Sequence, residues 1–178
     1  MSGSLERRLR SFLENKTIVF DANMWIHGLL GTEPTARLLL DLCARGILRV
    51  VVDSYCIAEV LRALTQLAIK KRMNPRSMHR NLWRILNADN IIKDFREPLS
   101  ISLLNYVIRR DEICLIARIL DLEPKDVPYL LTAFRHSATI ITTDDRSLYA
   151  RRKPIKERLN IEIISTKDIK KITKEQPQ

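Results

Sequence analysis

Apolar positions in this chain follow two alternating rhythms, short branched runs and longer stretches with a period of three to four. The runs Thr17 to Asp21, Ile47 to Val52, Ala138 to Thr142 and Ile161 to Ile164 have the length and β-branching of buried strands, with Ile91-Ile92 as a further short one. The stretches between them are spaced as helices. Residues 4–14 set Leu5, Leu9, Phe12 and Leu13 against Glu6, Arg7, Arg8 and Arg10, an amphipathic helix with a basic outer face. Asn23 to Leu30 predicts a second helix, and Pro34 opens a third that Gly46 ends as a C-cap. The clearest helix starts from a Ser54 cap and keeps Ile57, Val60, Leu61, Leu64 and Ala68 on one face before the cationic end Lys70-Lys71-Arg72. Asn74-Pro75 breaks that pattern and begins another helix through Met78, Leu82, Ile85 and Leu86, with Arg76, His79, Arg80 and Arg84 on its other faces. Further helices are predicted over Ser100 to Arg109, Asp111 to Leu122, Tyr129 to Phe134 and Ser165 to Ile172. Strands alternating with helices predict an α/β fold with a parallel sheet covered on both faces. No repeat or linker divides it, so residues 1–16 read as the N-terminal basic helix, 17–172 as one domain and 173–178 as a polar tail.

Composition narrows the partners. At 178 residues, 46% apolar and 29% charged, the chain can bury one core of its own. A net charge of +10 and a pI near 9.9 favour a polyanion, because clustered Lys and Arg release counterions from phosphates. Only 6% of residues are aromatic, which points toward backbone contacts rather than stacked bases. Cys43, Cys56 and Cys114 are odd in number and far apart, so no disulfide framework is implied, and they read as small core residues. His27, His79 and His136 are too scattered for a zinc site. The N-terminus lacks the apolar segment of a signal peptide and no run reaches membrane-spanning length, so a cytoplasmic protein is expected. With four Gly and no Gly-rich phosphate loop, a phosphatase or nucleotide-binding reading is disfavoured.

The acids carry the chemistry. Asp21 closes the first strand, Glu59 lies near the start of the clearest helix, Asp126 precedes Val127-Pro128, and Asp144-Asp145 follow the strand that ends at Thr142. In a parallel sheet the carboxyl ends of the strands gather along one edge, so these acids can converge there. Two structural alternatives stand beside that reading. Asp21 or Asn23 can cap the helix that follows, and Asp126, with Pro128 in the first turn, stands where an N-cap would. Converging carboxylates repel unless a cation lies between them, and hard oxygen ligands suit Mg²⁺ or Mn²⁺, whose Lewis acidity serves phosphodiester hydrolysis.

Four pieces of the chain together resemble the PIN-domain ribonucleases: Val19-Phe20-Asp21-Ala22-Asn23, Ser54 with Ala58-Glu59-Val60-Leu61, Lys125 to Leu130, and Thr142 to Leu148. The resemblance spans about Thr17 to Ile164 and implies a three-layer α/β/α fold, a mostly parallel sheet, an acidic site for Mg²⁺ or Mn²⁺ and single-stranded RNA as substrate. It also implies frequent homodimers, and either a toxin held by an antitoxin or a member of an RNA-processing assembly. By position, Asp21, Glu59 and Asp126 match the first three catalytic acids, and the fourth is Asp144 or Asp145. Asp21, Asp126, Asp144 and Asp145 are the expected metal ligands, while Asn23, Ser54 and Thr143 match polar positions that orient carboxylates or a water. Arg76, Arg80 and Arg84, with Arg109 and Arg110, are candidates for an RNA path or else a solvated face. The alternative to a nuclease is a non-catalytic RNA-binding or scaffold protein that keeps the fold. The N-terminal basic helix and the helical stretch from Met73 to Leu122 depart from a minimal toxin of the family, and either is a candidate docking surface.

Overall fold

Branched apolar runs too short to alternate between a wet and a dry face must be buried on both, and four of them, with a half-exposed edge strand, build a single parallel sheet. The computed structural model of the chain describes residues 2–72, 74–96, 110–143 and 146–175. Its strands are β1 (Thr17–Phe20), β2 (Arg49–Asp53), β3 (Ile91–Asp94), β4 (Thr139–Thr142) and β5 (Ile163–Ser165). Between β1 and β2 lie α2 (Ala22–Leu30) and α3 (Pro34–Ala44), and between β2 and β3 lie α4 (Ser54–Lys70) and α5 (Pro75–Leu86). Helix α6 (Arg110–Leu120), a 3-10 turn (Pro124–Asp126) and α7 (Val127–Arg135) lead to β4, and α8 (Arg146–Ala150) and α9 (Arg152–Leu159) lead to β5. Helices α1 (Ser2–Leu13) and α10 (Thr166–Glu175) open and close the described chain and pack on one another. The helices cover both faces, giving three α/β/α layers.

Strand order is β3-β2-β1-β4-β5 with every neighbouring pair parallel. The chain builds outward from β1 to β3, then returns to lay β4 on the other side of β1. The order therefore reverses beside β1, and a crevice opens between the carboxyl ends of β1 and β4. Ile18, Val19 and Phe20 of β1 are buried, and the Phe20 ring meets Trp25 of α2 edge-on at 5.7 Å. Helix α1 belongs to the same body, burying Leu9 and Leu13 while Glu6 pairs with Arg45 at 2.6 Å. Among the described residues no helix is long and apolar enough to cross a membrane.

Some boundaries differ from the sequence pattern. Strand β2 begins at Arg49 rather than Ile47, and its last residue caps α4: Asp53 Oδ1 accepts the Cys56 N–H at 2.7 Å, which makes Ser54 the first helical residue. The apolar pattern predicts no helix over Arg152–Leu159 because only Ile155 there is buried, yet its Arg, Lys, Glu and Leu residues favour helix and Asn160 stops it in the left-handed region at φ 55°. Helix α10 continues to Glu175, into the stretch read as a tail. The helix expected over Ser100 to Arg109 lies outside the described residues.

Helices α2 and α3 cross closely at Gly28, where an added Cβ would lie 2.5 Å from Leu40 Cδ1 and 2.9 Å from the Ala36 carbonyl oxygen. Leu40 is itself buried and the Ala36 oxygen is backbone, so neither can retreat. Gly28→Ala should therefore lose about 1–2 kcal/mol, overpacking outweighing the roughly 1 kcal/mol that Ala gains as a helix former. Urea titration reads the loss as a lower midpoint at unchanged slope, and a midpoint at or above that of the parent would contradict the close crossing.

Candidate active site

Asp21 stands immediately past β1, at the reversal in strand order, and is 4% exposed. Its two oxygens are both engaged: Oδ1 accepts the Met24 N–H at 2.7 Å and so caps α2, while Oδ2 accepts the hydroxyl of Thr142, the last residue of β4, at 2.5 Å. Asp21 is thus a cap and a crevice acid at once, because a carboxylate oxygen that accepts one hydrogen bond keeps a second lone pair. The bond to Thr142 ties the two sides of the crevice together.

Glu59 sits on α4 and accepts a hydrogen bond from the hydroxyl of Tyr129 on α7. Tyr129 is buried, and its hydroxyl is pushed well above the ordinary phenol range, first by burial and then by Cys56, Glu59 and Asp21 around it. The Cys56 thiol lies among the same groups. Burial raises its pKa, and the charges of Asp53, Glu59 and Asp21 raise it further, so it stays a neutral thiol that leans on the Phe20 carbonyl. Asp21 and Glu59, 38 positions apart, therefore share one neighbourhood, read out by the same phenol and the same thiol.

Helix α7 continues that arrangement strand by strand. Thr132, three residues after Tyr129, donates to Asp53 at the end of β2. Arg135, three residues later again, donates through Nε at 3.0 Å to Asp94 at the end of β3, pairs with it through Nη2 at 2.8 Å, and donates from Nη2 to the Thr132 hydroxyl. Asp53 and Asp94 are register partners in the sheet. A helix advances about 4.5 Å in three residues, close to the roughly 4.8 Å between strands, so one face of α7 meets successive strand ends in step. Burial pushes the Asp53 carboxyl up, against the hydrogen bonds from Cys56 and Thr132 and the Arg135 charge that lower it. Asp94 goes the other way, since hydrogen bonds from Arg96, Arg135 and His136 outweigh its burial and hold it low.

Asp126 ends the 3-10 turn one helical turn before Tyr129 and is 3% exposed. It occupies the N-cap position of α7, but its side chain makes no capping bond to that helix. The turn is held against the opposite side of the crevice, because the Glu123 N–H donates to Ser147 Oγ of α8 at 3.2 Å. Asp144 and Asp145 lie outside the described residues, between Thr143 and α8.

Of the polar positions named from sequence, Ser54 is buried, Thr143 half-buried and Asn23 exposed. Arg76, Arg80 and Arg84 are exposed on α5, and Arg84 shares a surface groove with Ala44 and Arg45, where α3 ends and the chain turns into the amino end of β2. That is the edge opposite the acids. Among the described residues no group of three or more His, Cys, Asp or Glu side chains is close enough to hold a metal ion. Tyr129, Thr132 and Asp94 carry no signal in the sequence that marks them as site residues, and Asp53 reads there only as the acid that follows the second strand. Asp53 had a visible signal, since it ends β2 just as Asp21 ends β1.

The sequence model of the family described as PIN domain matches residues 17–147, from the first residue of β1 into α8. No curated protein matches the chain.

The raised Asp53 pKa has a signed consequence. A carboxyl that is weaker as an acid in the folded state adds stability below its unfolded value of about 3.9, and that stability is lost as pH rises through its folded value. Asp53→Asn removes this loss while Asn keeps the cap. In chelator, the stability of the variant relative to the parent should climb from pH 4 toward neutrality. Chemical denaturation across that range measures it, and a flat difference would mean that Asp53 titrates alike in both states.

Proposed function

The chain belongs to the PIN-domain family, whose members are nuclease-like, and from that premise we propose that it is a Mg²⁺- or Mn²⁺-dependent endoribonuclease acting on single-stranded RNA. The observation that carries the reading is the Tyr129 hydroxyl, which donates to Glu59, senses the charge of Asp21 and lies one turn past Asp126, so that three family acids serve one end of the sheet. The residues fit a hard divalent ion: Asp21 and Asp126 are buried carboxylates offering oxygen alone, and buried charge of one sign needs a counter-charge. Asp21, Asp126 and Asp144 or Asp145 would hold it, with Glu59 at its side. When bound, such an ion offsets the charge that develops on the phosphorus oxygens and the leaving oxygen.

The chain's own residues prepare that step. Met24 N–H and the Thr142 hydroxyl fix the plane of the Asp21 carboxylate, and Tyr129 fixes Glu59, so neither acid must be reoriented when substrate arrives. Glu59 is only half-buried, so it can take a proton from an attacking water and return it to solvent. We place the protein in the cytoplasm as a homodimer, either restrained by an antitoxin or working within an RNA-processing assembly. Arg76, Arg80 and Arg84 fit an outer track for long RNA rather than a place at the cut, given the position of Arg84.

Purified protein should cleave single-stranded RNA with Mn²⁺ or Mg²⁺ and stop in EDTA. Asp21→Asn should abolish cleavage and leave the fold intact, since the amide oxygen still accepts the Met24 N–H. Cleavage that persists in excess chelator, or an active Asp21→Asn, sinks the mechanism. Asp144→Asn and Asp145→Asn tested separately identify the fourth acid.

Reversing Arg76, Arg80 and Arg84 together should weaken binding of long RNA to the Asp21→Asn protein and flatten its dependence on salt, while a short oligonucleotide is bound as before. Equal binding of long RNA by the reversed protein would make those arginines a solvated face.

A further inference from the structure

The carboxyl end of β3 carries cations where the rest of the edge carries acids. Asp94 accepts from Arg96 Nε at 3.0 Å, from Arg135 Nε at 3.0 Å and from His136 Nε2 at 3.2 Å, and pairs with Arg135 Nη2 at 2.8 Å. One carboxylate thus orients two guanidinium groups and an imidazole, and the cluster keeps a net positive charge. Asp94 absorbs only one edge of each guanidinium. The Arg96 side chain is 67% exposed and meets Asp94 through Nε. Asp53, the register partner of Asp94, is buried and turned to the Cys56 N–H and the Thr132 hydroxyl instead.

Two exposed phenylalanines are the sequence neighbours of these cations. The chain has four Phe in all. Phe95, between Asp94 and Arg96, is 36% exposed, and Phe134, immediately before Arg135, is 61% exposed. A solvent-facing Phe beside an arginine, repeated on two elements that meet at one carboxylate, is the composition of a single-strand platform: guanidinium for phosphate, ring face for a base. Its place in the fold suits that use. Two strand spacings separate the ends of β1 and β3, about 10 Å, which a stacked strand covers in about three phosphates.

We propose that Arg96 and Arg135, oriented by Asp94 and flanked by Phe95 and Phe134, form a subsite for the backbone and bases of single-stranded RNA beside the acidic crevice. The proposal rests on the ribonuclease reading for the direction in which the strand runs, and on geometry for the subsite itself. Helix α7 joins the two, presenting Tyr129 to Glu59 and Arg135 to Asp94 from one face. A strand seated on the cluster is thereby led along the row of strand ends toward Asp21.

The test uses the Asp21→Asn protein, a fluorescent single-stranded RNA of about ten nucleotides and its DNA counterpart, read by anisotropy across a salt series. Arg96→Glu and Phe134→Ala both alter exposed side chains, and thermal melts confirm that they fold. Arg96→Glu should weaken RNA binding about tenfold or more and reduce the salt slope by about one. Phe134→Ala should weaken it at least about fivefold with the slope unchanged. Parent-like affinity and slope in both variants would overturn the subsite. So would a Phe134→Ala that abolishes self-association in sedimentation but binds RNA normally, since the ring would then serve a second copy. Equal losses on DNA support a backbone-and-stacking subsite, and a loss confined to DNA counts against it. The two readings separate cleanly. If wild-type protein cleaves RNA while both variants bind as the parent does, the subsite falls and the nuclease stands. If wild-type protein with Mn²⁺ leaves RNA intact while Arg96→Glu still loses affinity, the subsite stands and the nuclease falls.

Discussion

The match between the rise of a helix and the spacing of a sheet organises this molecule. Helix α7 lies across the carboxyl edge, and its side chains at every third position engage Glu59, Asp53 and Asp94 in turn. Hydrogen bonds to ionised groups are the stronger kind, about 1.5–3 kcal/mol each, and here they are made where two repeating structures share a period. Sliding α7 by one residue would break them together, since no neighbouring position on that face carries the same donors. The helix therefore sets where Glu59, Asp53 and Asp94 point, while the α2 cap and Thr142 set Asp21.

The same alignment keeps a crowded acidic edge folded. Carboxylates crowded at one edge of the sheet would repel, and the protein answers each differently: a cap and a threonine hydroxyl for Asp21, a phenol for Glu59 on α4, burial and a second threonine for Asp53, and two arginines for Asp94. The thiol of Cys56 fills the space between three of them as a neutral group. What separates Asp94 from the others is the sign of its neighbours. The edge consequently runs from acidic at β1 to basic at β3, a gradient that net charge alone cannot reveal.

Much of the fold was legible because short branched runs have few alternatives. β1, β4, α4 and the breaks at Gly46 and Asn74-Pro75 follow from periodicity and turn chemistry. The family acids Asp21, Glu59 and Asp126 were legible as residues, but the groups that orient them were not. Tyr129, Thr132 and Arg135 look like the ordinary contents of an amphipathic helix, and their partners belong to α4, β2 and β3, which only the folded topology brings side by side. Asp53 was misjudged for a local reason: with Asp and Ser adjacent, both competent caps, sequence does not say which residue leaves the strand last. Helix α9 escaped notice because a helix that buries one side chain leaves almost no hydrophobic rhythm.

The hydrogen bond from Thr142 to Asp21 closes a span of 121 residues. Joining points that far apart costs roughly 4 kcal/mol of chain entropy, repaid only after β4 has docked beside β1. All-parallel pairings are slow to form for the same reason. During folding, the first three strands can associate while the crevice still has only one wall. The wall that Thr142 closes against Asp21 is thus a late part of the crevice to form, and a chain halted before β4 carries Asp21 and Glu59 without it.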